Sequence, residues 1–139
     1  MNQKFILAFI LLVNFSVTNA TKFFPCDHED LPVPTVRFDP DPLGIDENTA
    51  FTVSGTTGAF NFDIYKVLIS LVDKNAQEID EVFYDVDPPI KAGSSFSFEL
   101  AYKLEKSLPP LYFIFVGLYE HVNGASVLNG CAEGYSLIQ

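Results

Sequence analysis

The chain has 139 residues, of which 48% are hydrophobic and 14% aromatic, and 8 basic side chains face 18 acidic ones for a formal net charge of −10. That balance excludes nucleic acid as a partner, because binding it needs a basic surface that neutralises phosphates. The acids are scattered and not gathered in a tail, so they read as a solvated, self-repelling surface on a single domain.

Lys4 precedes an apolar run from Phe5 to Val13, and Thr18-Asn19-Ala20 puts small residues at the minus-three and minus-one positions of a cleavage site. Residues 1–20 therefore read as a secretory signal peptide, with a mature domain over 21–139. A membrane anchor would need roughly 20 apolar residues, and Asn14 and Ser16 interrupt this run too early. Cleavage removes one charged residue, Lys4, and leaves 7 basic against 18 acidic side chains, a net charge of −11. It also removes or cuts the sequons at Asn14 and Asn19, so N-glycosylation is not expected.

Cys26 and Cys131 are the two cysteines of the chain and bracket almost the whole mature domain. In an oxidising compartment each is the default partner of the other. In the chain-entropy model, closing a loop of about 100 residues restricts the unfolded ensemble by roughly 4–5 kcal/mol.

Short strands separated by turn chemistry follow, with no sustained helical period, and predict an all-β sandwich of about seven strands. The first lies around Val36 to Phe38 and stops at Asp39-Pro40-Asp41-Pro42-Leu43-Gly44, where Gly44 can take a positive φ. The second runs from Ala50 to Ser54. The third, Ile64 to Asp73, and the fourth, Ile79 to Val86, are joined by the hairpin-length Lys74-Asn75-Ala76-Gln77, and Asp87-Pro88-Pro89 ends that ribbon. The fifth, Ser95 to Lys103, alternates cleanly, with Phe96, Phe98, Leu100 and Tyr102 on one face. The sixth, Leu111 to Glu120, is apolar on both faces and so is central or covered on both sides. The seventh runs from Cys131 to Ile138 after a turn at Asn123-Gly124.

The mature chain carries 11 Phe and 6 Tyr without a Trp, mostly at strand positions. These rings either fill a solid core or line a cavity between sheets held apart for an apolar guest. Both readings stand at this level.

Catalytic and metal chemistry find little support. Cys26-Asp27-His28-Glu29-Asp30 holds metal-compatible side chains, but consecutive residues cannot converge on one ion, and no second cluster matches them. Asp39-Pro40-Asp41 with Gly44 resembles a calcium loop, yet Ala50 stands where a bidentate glutamate is needed. With Cys26 in a disulfide, a nucleophile would be a serine or threonine served by His28 or His121, and no serine lies in a Gly-x-Ser-x-Gly elbow. Glu78, Asp80 and Glu81 read as a solvated edge, since Asp80 and Glu81 point to opposite faces. No metal, no cofactor and no enzymatic activity are expected.

The order of features is distinctive: the leader, an early cysteine, Phe38-Asp39-Pro40-Asp41-Pro42-Leu43-Gly44, Phe51-Thr52-Val53-Ser54-Gly55, Gly58-Ala59-Phe60, Leu108-Pro109-Pro110-Leu111-Tyr112-Phe113 and a late Asn129-Gly130-Cys131. Over residues 26–138 it resembles the ML lipid-recognition domain family, and within it the fungal phosphatidylglycerol/phosphatidylinositol transfer proteins and the Niemann-Pick type C lysosomal sterol carriers. Members commonly carry further disulfides in internal loops, for which this chain has no cysteines. The resemblance implies an immunoglobulin-like sandwich with an internal lipid cavity and paired early and late cysteines. It implies a monomeric, soluble carrier of a phospholipid or sterol in the secretory pathway, either secreted or in the lumen of an acidic vacuole or lysosome-like compartment, touching membranes transiently. The alternative is a secreted lipid-presenting protein that engages a receptor or host surface. Strand alternation together with the family's hollow sandwich nominates Val53, Tyr65, Val67, Ile69, Leu71, Phe96, Phe98, Leu100, Phe113 and Phe115 as cavity residues. On the third strand the opposite face, Ile64, Leu68 and Val72, is apolar too.

Overall fold

The computed structural model describes residues 21–26 and 30–137. The expected leader, the Asp27-His28-Glu29 segment and Ile138 lie outside them. Eight strands form: β1 (Phe23–Pro25), β2 (Thr35–Asp39), β3 (Asn48–Gly55), β4 (Ile64–Asp73), β5 (Glu78–Ile90), β6 (Phe96–Lys103), β7 (Leu111–Val122) and β8 (Ala125–Leu137). They build a five-stranded sheet in the order β1-β8-β7-β4-β5 and a three-stranded sheet in the order β2-β3-β6. Every paired neighbour is antiparallel, and the described residues contain no helix. The sheets pack as a β-sandwich, so each contributes one apolar face to a shared core.

Turn chemistry sets the two long hairpins. Between β4 and β5, the Asp73 carboxylate accepts hydrogen bonds from the Asn75 and Gln77 amides at 2.8 and 2.9 Å, and Ala76 takes φ 60°. Between β7 and β8, Asn123 and Gly124 both take positive φ, 50° and 82°, as a two-residue primed turn requires. Pairing begins directly beyond that turn, Val122 with Ala125, so β8 starts six residues before the expected Cys131.

Three further expectations are corrected. Asp87-Pro88-Pro89 does not end the ribbon: β5 continues to Ile90, which pairs with Ile64. The pairing with β4 skips from Asp85 to Ile90 at a register shift, so Pro88 and Pro89 sit in an unpaired bulge of an edge strand, where no ladder donor is needed from them. Gly44 does not take the positive φ; Asp46 does, at 58°, with its amide bonded to the Leu104 carbonyl at 2.7 Å. Strand β1 was not foreseen, because Phe23-Phe24-Pro25 is too short to display a period and is held by its pairing with β8.

The core is filled from both sheets. Val36, Phe38, Phe51, Val53, Phe96 and Tyr102 come from the three-stranded sheet, and Val67, Ile69, Leu71, Tyr112, Ile114, Val116, Leu118 and Ala132 from the five-stranded one. Phe60 and Phe62 close the end of the sandwich where β3 stops, with Phe60 edge-on to Phe96 at 5.1 Å. There the glycine at 55 is a steric necessity, since a Cβ would lie 2.4 Å from the Phe60 ring and 2.5 Å from the Phe96 ring. Leu43 and Leu104 cap the other end. Each such large side chain contributes roughly 1.5–3 kcal/mol relative to exposure.

Cys26 and Cys131 are disulfide-bonded, with Cα atoms 5.9 Å apart across 105 positions of sequence. The bond ties the end of β1 to the middle of β8 and fits an oxidising compartment.

Candidate functional site

The two long sides of the sandwich are closed by different means. On one side β1 and β2 form the sheet edges. There Phe23 packs edge-on against Phe38 at 6.4 Å, the disulfide follows β1, and the Cys131 amide donates to the Pro32 carbonyl of the incoming segment. On the other side the edges are β5 and β6, and no strand pairing joins them. Facing one another across this seam are Val82, Tyr84, Val86 and Ile90 from β5 and Phe98 and Leu100 from β6, all half-buried against the core.

Two tyrosine hydrogen bonds span the seam. The Tyr84 hydroxyl donates to the Ala101 carbonyl at 2.7 Å, and the Tyr102 hydroxyl donates to Asp80 Oδ2 at 2.7 Å. Lys106, itself largely exposed, reaches the other Asp80 oxygen at 4.0 Å, the outer limit of an ion pair, and so adds little. Burial pushes the Tyr102 phenol far above its ordinary value, and the hydrogen bond to Asp80 and the Asp80 charge push it further. Burial raises Tyr84 as well, with the Asp80 charge adding to it. Both phenols therefore remain protonated donors at neutral pH.

The nominated cavity residues separate into three groups. Val53, Val67, Ile69 and Leu71 are fully buried between the sheets, and Phe96 joins them at the Phe60 end. Phe98 and Leu100 lie on the seam. Tyr65, Phe113 and Phe115 are elsewhere. Tyr65 sits by the β7–β8 hairpin, packed against His121 with its hydroxyl on Ser126 Oγ, where a register shift in β4 interrupts the alternation. Phe113 and Phe115 point to the outer face, because the inward set of β7 is Tyr112, Ile114, Val116 and Leu118. Both faces of β7 are apolar, so its period gave no choice between them. The seam residues of β5 were missed because Phe83 breaks the alternation of Val82, Tyr84 and Val86 with Glu81, Asp85 and Asp87, making Val82-Phe83-Tyr84 a continuous apolar run.

The outer face of the five-stranded sheet is itself aromatic. Phe24 (47% exposed) stacks on Tyr135 (51%), Tyr135 neighbours Phe113, and Phe83 (50%) lies against Tyr119 with Lys66 above its ring. Glu81, Asp85 and Glu133 share that face by register. On the opposite outer face, Asp39, Asn48, Thr49, Ala50, Glu99 and Ala101 line a shallow open dish that holds two carboxylates. Among the described residues no group of three His, Cys, Asp or Glu side chains is placed to hold a metal ion, and no helix is long and apolar enough to cross a membrane.

Neither a model of a known protein family nor a curated protein matches this chain.

Proposed function

We propose that the chain is a soluble, non-enzymatic lipid carrier of the ML lipid-recognition kind, taking one phospholipid or sterol between its sheets and releasing it at another membrane. The observation that supports this reading is the unequal closure of the sandwich. One side is held by strand packing and a covalent bond, and the other by half-buried apolar side chains and two hydrogen bonds.

Magnitudes favour entry at the seam. Parting Tyr84 from Ala101 costs about 0.5–1.5 kcal/mol, and parting Tyr102 from the Asp80 carboxylate about 1.5–3 kcal/mol. Burying an acyl chain returns about 0.8 kcal/mol per methylene, so roughly three to six methylenes offset both. Val82, Val86, Phe98 and Leu100 are the first side chains such a chain would meet.

Organic extraction of the purified secreted chain followed by mass spectrometry, with fluorescent-phospholipid and sterol transfer between vesicles, tests the proposal. A co-purifying lipid and measurable transfer support it; absence of both overturns it.

A second reading, a lipid-presenting protein that engages a receptor or host surface, draws on the exposed outer aromatics Phe24, Phe83 and Tyr135. An exposed cluster of this kind marks an interaction surface more often than a bare solvent face. It predicts lipid-dependent binding to a protein partner with negligible vesicle transfer.

A further inference from the structure

Ahead of β1, Thr21 makes a two-point contact with a residue twenty positions away. Its backbone N donates to Asp41 Oδ2 at 2.7 Å and its hydroxyl donates to Asp41 Oδ1 at 2.8 Å, both partly buried. Both oxygens of one carboxylate are thus turned toward a single residue. The ion pairs among the described residues are Lys66–Asp85, Lys91–Asp63 and Lys106–Asp80, and none of them reaches Asp41. Among the described residues no cation lies within ion-pair distance of this partly buried carboxylate, and a neutral amide neutralises none of its charge.

The sequence supplies the missing cation. Thr21 follows Thr18-Asn19-Ala20, the small-residue pattern of a leader cleavage site. Hydrolysis of the Ala20–Thr21 peptide bond by a secretory leader-cleaving protease consumes one water, leaves a carboxylate on Ala20 and frees the Thr21 amine, which takes up a proton at neutral pH. The nitrogen already 2.7 Å from Asp41 then carries a positive charge.

We propose that Asp41 is a receptor for the new α-ammonium of Thr21, so that leader removal creates an ion pair that fastens β1 to the sandwich. The location fits the need. Strand β1 has three residues and one pairing partner, β8, and its far end is already held by the disulfide at Cys26. The Thr21–Asp41 pair holds its near end. The ammonium donates to Oδ2 and the hydroxyl to Oδ1, a fit that a threonine makes and an alanine at this position would halve. This role is independent of whether the protein carries lipid.

The test uses the full chain expressed with its own leader in a eukaryotic secretory host. Mass spectrometry of the secreted protein should find Thr21 as its first residue, and a first residue elsewhere overturns the proposal. The α-amine is then titrated with a limiting amine-acylating reagent and compared with the same protein unfolded in urea and with secreted Asp41→Asn. The folded wild type should acylate about three-fold or more slowly than either, because the paired ammonium is withheld as free amine. Equal rates in the folded and urea-unfolded wild type overturn the proposal, and that comparison stands even if Asp41→Asn is not secreted.

Discussion

The Tyr102 hydroxyl lies 2.7 Å from Asp80 Oδ2 and joins the edge strand of one sheet to the edge strand of the other. Removing the hydroxyl leaves a carboxylate that is only 20% exposed with Lys106 at 4.0 Å as its remaining partner. Tyr102→Phe should destabilise the fold by about 1.5–3 kcal/mol. Thermal denaturation checks the stability, and on the carrier reading the dissociation of a fluorescent phospholipid should be faster in the same variant.

Alkaline pH should unfold the protein through its tyrosines. Burial raises Tyr84, Tyr102, Tyr112 and Tyr119 above the ordinary value of 10.0, so the folded state keeps protons that the unfolded state has lost. Their stabilising contribution is complete below about pH 10 and is lost as pH rises through the folded values. Phenolate absorbance should climb in two stages, the second coinciding with loss of β-sheet circular dichroism. A single smooth rise with the fold intact would contradict the placement of these hydroxyls.

Reduction of Cys26–Cys131 should lower stability by roughly 4–5 kcal/mol in the chain-entropy model, given a separation of 105 positions. Urea unfolding with and without reductant measures it. On the carrier reading, reduction should also speed lipid release, since the bond holds the side opposite the seam. An unchanged off-rate with an intact fold would confine the bond to a stabilising role.

Neighbouring residues of β7 should respond very differently to truncation. Ile114 is fully buried between the sheets while Phe113 is only half-buried, on the outer face beside Tyr135. Ile114→Ala should cost about 2–5 kcal/mol, and Phe113→Ala appreciably less despite the larger side chain. Equal losses would mean that the outer face is covered in solution.

On the carrier reading, transfer from anionic vesicles should be faster at about pH 5 or at raised salt than at pH 7. With residues 1–20 removed the chain would carry −11, a charge that such membranes repel and that protonation or screening relieves. Vesicle transfer rates over a pH and salt matrix check this, with zwitterionic vesicles as the insensitive reference.

Legibility in the sequence followed how many physical constraints each segment carried. Asn123-Gly124 demanded a tight turn because both positions need positive φ. Phe96, Phe98, Leu100 and Tyr102 announced their inward face because serine, glutamate and lysine occupy the other, and the structure turns all four inward or onto the seam. For β7 the same logic had nothing to grip, since Phe113 and Phe115 are as apolar as Ile114 and Val116. Val82, Tyr84 and Val86 were readable as part of a strand, but not as one lip of a seam whose other lip lies on β6.

Local chemistry in the sequence determined the all-β class, the hairpin turns, the clean alternation of β6 and the pairing of two cysteines that had no other partners. Only the tertiary structure decided which face of β7 meets the opposing sheet, that β1 is held by β8, that β5 runs on through two prolines, and that Tyr84 and Tyr102 bridge the two edges. Period and propensity act between residues a few positions apart. The choice of face, edge and bridge depends on which distant strands lie alongside, and those contacts are set by packing the whole core at once.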